Sequence, residues 1–257
     1  MRYEVLGPMR MFDGEGHWTI GAQKLETLLG VLLLRADHMV SVEQLAEEIW
    51  RDKQPVRATG GIHGYVSQLR RHFRGHGDPA GPIVTQSAGY LLRLGDDELD
   101  AKIFQGLVSR ARTYRRERRF EAAATCLAEA QSLWRGPVLG EISGGPIVSG
   151  YTSWLIESRI ECAEMFVEAQ LELGLHREVL GPLHLTVSEF PLREIFYRQL
   201  MIALYRCGFR AEALKVYHTA RSRLRGELGL EPGRELRVLQ QQILSAEPRP
   251  ELVGAAA

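Results

Sequence analysis

The chain has 257 residues, with 32 Lys or Arg balanced by 32 Asp or Glu; hydrophobic residues are 45% and charged residues 25%. That composition excludes wholesale disorder, a coiled coil and a collagen-like chain, and the length is about that of two ordinary domains. The longest nearly unbroken apolar stretch, Leu28 to Leu34, is far below the ~18 residues of a bilayer span; Met1 to Arg10 shows no secretory signal; and three widely separated cysteines (Cys126, Cys162, Cys207) point to a reducing cytosol rather than a disulfide scaffold.

Tyr3, Val5 and Leu6, then Met9, Met11 and Phe12, read as short strands on either side of a Gly7-Pro8 break. Asp13 to Gly16 is a turn, and His17 to Ile20 a further strand. Lys24 to Arg35 carries Leu25, Leu28, Leu29, Leu32 and Leu33 at helical spacing. Ser41, with Gln44 three residues on, forms a capping box for a helix through Trp50. Pro55 breaks the chain. A third helix is expected from Ala58 to Arg74, with Ile62, Val66, Leu69 and Phe73 on its inner stripe, ended by Gly75 to Pro79. Ile83-Val84-Thr85, then Ser87-Ala88-Gly89, then Tyr90-Leu91-Leu92 read as a β-hairpin.

From Leu99 strand signals nearly vanish. Asp96-Asp97-Glu98 marks the expected boundary, giving domains 1–95 and 99–246 with a frayed tail, 247–257. The segments beginning Gly174-Leu175-His176 and Gly208-Phe209-Arg210 are alike and lie 34 residues apart. A weaker copy begins at Arg118-Arg119-Phe120. A period of 34 is that of tetratricopeptide-type helical hairpins. The extra spacing before Gly174 fits an insertion holding Trp134-Arg135-Gly136-Pro137 and Gly144-Gly145-Pro146, the latter read as a mobile loop. A last helix, from Pro232 to Ser245, would cap the array. The fold class is thus mainly α, with β-strands in its first part.

The third helix carries the functional signal. Between Arg51 and Arg74 there are six basic residues and one acid, Asp52, so the local charge is +5 in a chain with none overall. Opposite the apolar stripe lie Thr59, Gly60, His63, Gly64, Ser67, Arg70, Arg71 and Arg74. Small residues at the start permit close approach to bases in a major groove, and arginines near the end reach phosphates. The preceding helix would cross the backbone, its terminal Trp50 offering an indole N–H. The hairpin would act as a wing, with Thr85, Ser87, Tyr90 and Arg93 as phosphate or minor-groove contacts. An ordinary solvated helix end, favoured by the helix dipole, is the plainer alternative; the order of elements favours double-stranded DNA.

Several motifs resemble one known family. Tyr3-Glu4-Val5-Leu6-Gly7-Pro8, Val40 to Leu45 with Ile49-Trp50, Tyr65 to Arg71, and Ser87 to Leu92 look like the Streptomyces antibiotic regulatory proteins. Leu133-Trp134-Arg135-Gly136-Pro137-Val138-Leu139, Pro191 to Glu194, Gln199 to Arg206 and Glu227 to Gly233 look like that family's bacterial transcriptional activation domain. The resemblance implies an OmpR-type winged helix-turn-helix followed by a tetratricopeptide-like activation domain. It further implies an activator of an antibiotic or other secondary-metabolite gene cluster that binds promoter direct repeats and engages RNA polymerase holoenzyme. Direct repeats require two copies placed head to tail on the DNA. Gly60-Gly61 stands where the family often has a polar residue. No Gly-x-x-x-x-Gly-Lys-Ser/Thr segment matches the nucleotide-hydrolysing domain of larger relatives.

No enzyme activity, cofactor, metal or membrane partner is expected. His72 and His76 are four apart but have no further ligand near them in sequence. The three cysteines read as buried, inert thiols. Trp154 and Trp50 read as core or semi-buried. The dense run Arg110, Arg112, Arg115, Arg116, Arg118, Arg119 reads as a solvated face partnered by acids, in preference to an auxiliary contact surface. A protein-interaction or ligand-sensing module, with the winged helix as a dock, is the alternative to an activator.

Overall fold

In the computed structural model, which describes residues 1–14, 16–75 and 81–245, the chain is mainly helical with two small sheets. Contacts group it into two compact units. The first takes Met1–Glu117 and Thr125–Ala163; the second takes Arg118–Ala124 and the described residues from Glu164 onward. Among the described residues no helix is long and apolar enough to cross a membrane.

The first unit opens with β1 (Arg2–Glu4), β2 (Arg10–Phe12) and β3 (His17–Trp18), paired antiparallel in turn. β7 (Glu98–Leu99) adds parallel to β1, completing the order β3-β2-β1-β7. β4 (Val40–Ser41), β5 (Ile83–Gln86) and β6 (Gly89–Leu92) form a second sheet in the order β4-β6-β5. Neither β4 nor β7 was visible in the sequence, because two residues are too few to set a period of two. Three helices come between β3 and β5 in sequence, with β4 separating the first from the other two: α1 (Gln23–Leu34), α2 (Val42–Trp50) and α3 (Ala58–Gly75). The sequence pattern gave α1 one apolar face, but every residue from Thr27 to Leu34 is buried. The cause is its position, packed against α2, α3 and β6 at once. Phe73 closes the end of this core, meeting Trp18 and Tyr3 edge-on at 5.8 and 6.4 Å.

The same unit contains α4 (Asp100–Arg116) and parts of α5 (Phe120–Ser132) and α6 (Pro146–Glu172). Asp100 is 1% exposed, and its carboxylate accepts from the backbone N–H of Val5 at 2.8 Å and of Leu6 at 3.0 Å. Burial pushes this carboxyl above the usual range, and those N–H donors oppose the shift. The segment after α5 returns to the same place: Arg135 N–H donates to Leu6 O and Leu139 N–H to Val5 O. A Cβ on Gly7 would lie 2.8 Å from that of Arg135. Gly7 and the Trp134-Arg135-Gly136-Pro137 motif are therefore two sides of one contact.

The expected mobile loop at Gly144-Gly145-Pro146 is instead fixed. Glu48 on α2, 2% exposed, accepts from Gly145 N–H at 2.8 Å, Ile147 N–H at 2.6 Å and Val148 N–H at 3.2 Å. It thereby caps α6, satisfying donors that a helix start leaves unpaired. Arg51 donates to Gly144 O at 2.7 Å.

The second unit holds α7 (Leu180–Glu189), α8 (Glu194–Arg206), α9 (Arg210–Leu228) and α10 (Arg234–Ser245). The sequence repeat is visible in its turns. Arg118, Gly174 and Gly208, the first residues of the three similar segments, all take positive φ, at 57°, 79° and 86°. Gly174 N–H bonds Leu171 O and Leu175 N–H bonds Gln170 O; Gly208 to Tyr205 and Phe209 to Leu204 repeat that pattern. Arg118 adopts the left-handed region without glycine, at a cost of about 1 kcal/mol. Pro232 precedes α10 rather than lying in its first turn. There Gly233 N–H donates to Glu194 at 2.7 Å. The tail 247–257, His76 and the segment 76–80 lie outside the described residues.

Candidate nucleic-acid interface

The helix pair that presents the candidate face is set locally. Ser41 Oγ accepts from Gln44 N–H and Gln44 Oε1 from Ser41 N–H, both at 3.1 Å, which starts α2 by a capping box as expected. α2 stops at Trp50, where Arg51 takes φ of 51° and a single 3-10 turn follows. The Trp50 ring stacks at a tilt on Tyr65, centroids 5.9 Å apart. It also explains one of the paired glycines: a Cβ on Gly61 would approach the indole to 2.9 Å, whereas Gly60 and Gly64 have nothing within 4 Å.

α3 is amphipathic in the predicted sense. Ile62, Leu69 and Phe73 are 0% exposed and Val66 1%. Thr59, Gly60, His63, Gly64, Ser67, Arg71 and Arg74 are exposed on the other side. Ser67 Oγ–H donates to His63 O at 2.9 Å, so its hydroxyl presents lone pairs rather than a proton outward. Among the described residues Arg71 and Arg74 have no ion-pair partner, and no acid lies on α3.

Two of the expected contacts have other employment. The Arg70 guanidinium donates to Ile83 O from Nε at 3.2 Å and Nη2 at 2.9 Å, and to Thr85 Oγ1 at 2.7 Å. It also lies 5.9 Å over the Tyr90 ring. Tyr90 itself is 7% exposed and meets His63 edge-on at 6.2 Å. These two side chains fasten the hairpin to α3. The hairpin has a two-residue tip, Ser87-Ala88, because Gln86 and Gly89 are paired. Gly89 is required there: a Cβ would collide with Val40 O on β4. Thr85, Ser87 and Arg93 are exposed along it, and Trp50 is half-buried.

The structure therefore brings Thr59, Gly60, His63, Gly64, Ser67, Arg71 and Arg74 onto one face of α3, with Thr85, Ser87 and Arg93 on the adjoining hairpin. Sequence reasoning passed over Gln68, which is exposed on α3 beside Ser67, and counted Lys53 and Arg57, exposed on the approach to the helix, only in the local charge and not as contacts. A strict count of i, i+3 and i+4 neighbours of Gly64 would have found Gln68. Elsewhere, Cys126 and Cys162 are buried, and burial pushes the Cys162 thiol up to about 12; Cys207 is only half-buried. Trp154, expected in the core or semi-buried, is 47% exposed. Among the described residues no cluster of three or more His, Cys, Asp or Glu could hold a metal.

Residues 99–244 match the family model of the bacterial transcriptional activator domain. Regulatory protein AfsR of Streptomyces coelicolor is 36% identical over 250 residues, which cover 96% of this chain and 24% of AfsR, so the chain spans about a quarter of that relative. Transcriptional regulatory protein MoaR1 of Mycobacterium tuberculosis is 31% identical, with 99% of this chain and 82% of MoaR1 covered. Regulatory protein DnrI of Streptomyces peucetius is 30% identical, covering 96% and 93%. The solved structure of Mycobacterium tuberculosis EmbR, in complex with a low affinity phosphopeptide, matches with a TM-score of 0.88 at 30% identity, over 95% of this chain and 64% of that one. The chain belongs to the Streptomyces antibiotic regulatory protein family of transcriptional activators.

Proposed function

We propose that this activator is a non-enzymatic, cytoplasmic DNA-binding protein whose residues 1–95 act as an OmpR-type winged helix and whose residues 99–246 act as a tetratricopeptide-like activation domain. α3 enters the major groove of a promoter half-site, and the β5–β6 hairpin lies along the neighbouring backbone or minor groove. The observation that supports this most is the exposed, acid-free face of α3, rigidly joined to the hairpin by Arg70. In this reading Thr59, His63, Ser67 and Gln68 meet base edges; Arg71, Arg74, Thr85, Ser87 and Arg93 meet phosphates. Gly60 and Gly64 leave the backbone bare for close approach.

Two copies sit head to tail on direct repeats about one helical turn (~10 bp) apart, and the helical domain contacts RNA polymerase holoenzyme to switch on a secondary-metabolite gene cluster. A gel shift of the full chain with duplexes carrying one repeat, two repeats in phase, or two repeats offset by half a turn tests this. The two-repeat, in-phase duplex is expected to bind tightest. Equal affinity for all three, or no shift at low salt, refutes it.

A further inference from the structure

The exposure of Trp154 calls for an occupant. Its ring meets Tyr151 edge-on, centroids 6.1 Å apart. With Pro146, Ile147, Gly150 and Arg35 these two rings line a cleft of about 430 Å³ within the first compact unit. That volume lies within the range of small-molecule sites, roughly 300–1,000 Å³. The lining is aromatic and aliphatic with one charge, Arg35.

Arg35 lacks what guanidinium groups normally have. Its Nε is buried and has no hydrogen-bond partner. Among the described residues the group has no ion-pair partner. Leaving a charged donor unsatisfied costs more than leaving a neutral one. Glu48, the acid bound to the neighbouring start of α6, is turned inward at 2% exposure and committed to three backbone N–H groups. The cleft thus offers an apolar, ring-shaped floor beside one unanswered cation. A carboxylate on Arg35 would accept two parallel N–H donors, and a ring attached to it would lie against Trp154 and Tyr151.

We propose that this cleft binds a small aromatic carboxylate. The site uses none of the DNA-facing residues, and its occupancy is measurable without DNA.

Isothermal titration of the full chain with 3-phenylpropionate, and with 3-phenylpropionamide as its uncharged match, tests the proposal. The acid is expected to bind with a Kd of about 0.1–1 mM, in keeping with the efficiency of ligands this small. The amide should bind at least tenfold more weakly. Arg35→Met keeps the apolar stem and should bring the two probes within twofold of each other. Arg35→Lys should retain the preference for the acid. Trp154→Ala, at a solvent-facing position that leaves the core intact, should abolish binding of both. Thermal melting of each variant, close to that of the parent, confirms that the fold persists. Equal binding of acid and amide by the parent, an acid preference that survives in Arg35→Met, or no heat for either probe up to 10 mM overturns the assignment.

Discussion

Two helices of this protein are rich in arginine, and they differ in what answers the charge. On α4 and the turn after it, Arg112 forms a two-point pair with Glu161, its Nε at 2.8 Å, and Arg118 lies 4.0 Å from Glu172. Arg115 and Arg119 also have interaction partners. On α3, Arg70 is consumed by the hairpin, while Arg71 and Arg74 point outward with no acid on their helix. The denser cluster in sequence is the better neutralised one. On the proposed function, unanswered charge beside a bare backbone, rather than local charge count, marks the polyanion site.

The comparison makes predictions of decreasing size. Replacing Arg71 and Arg74 together by Ala should weaken binding to every duplex about 30-fold at low salt and flatten the slope of log K against log salt by about 2, as each lost phosphate contact requires. The matching pair on α4, Arg110 and Arg112 to Ala, should change affinity less than twofold. A reversal of these two results would move the interface to α4. Arg70→Met should cost about 1–2 kcal/mol in urea denaturation, through the lost bonds to Ile83 O and Thr85 Oγ1. Its effect on DNA affinity should be smaller than that of the Arg71, Arg74 pair. Unchanged stability with the full binding loss would make Arg70 a contact rather than a fastener.

The adjacent glycines sharpen the contrast between bare and packed surface. Gly60→Ala has open space around it and should raise helix stability by about 0.5 kcal/mol. Gly61→Ala must push Trp50 aside and should lower it. Thermal melting of the two variants separates them, and a common direction would contradict the packing given to Trp50.

The smallest effect belongs to the paired cluster. The hydrogen bond from Arg112 is the main cause that holds the Glu161 carboxyl below its usual 4.5. A depressed carboxyl contributes stability above its unfolded pKa and loses it as pH falls through the folded value. Arg112→Met should therefore cost about 0.5 kcal/mol at pH 7, as exposed pairs do. The difference from the parent should shrink as the pH is lowered below 4.5 and vanish once the folded carboxyl is protonated. A difference independent of pH would assign the loss to packing.

Much of the candidate face could be read from sequence because its causes are local. The Ser41–Gln44 capping box, the stripe from Ile62 to Phe73 and the Ser87-Ala88-Gly89 turn each depend on residues within a few positions of one another. What stayed hidden depends on distant partners. Arg70 and Arg71 are neighbours with the same chemistry; only the placement of β5 decides that one points inward. Glu48 reads as a solvated helical acid until α6 arrives almost a hundred residues later to be capped by it. Tyr90 alternates correctly for an outward strand residue but is covered by His63 and Arg70. The parallel pairing of β1 with β7 likewise joins two segments too far apart in sequence for any short window to contain. Trp154, read as core or semi-buried from its residue type, is 47% exposed, so aromatic identity does not decide burial.

Proximity of α3 to DNA can be measured without relying on affinity. Ser67→Cys and Ser109→Cys, each in a Cys207→Ser background, place one accessible thiol on the exposed side of α3 or of α4. Each thiol is then loaded with an iron chelate that cuts nearby strands. The account predicts cuts centred within each repeat from position 67 and none above background from position 109. Cuts from position 109 alone would contradict it.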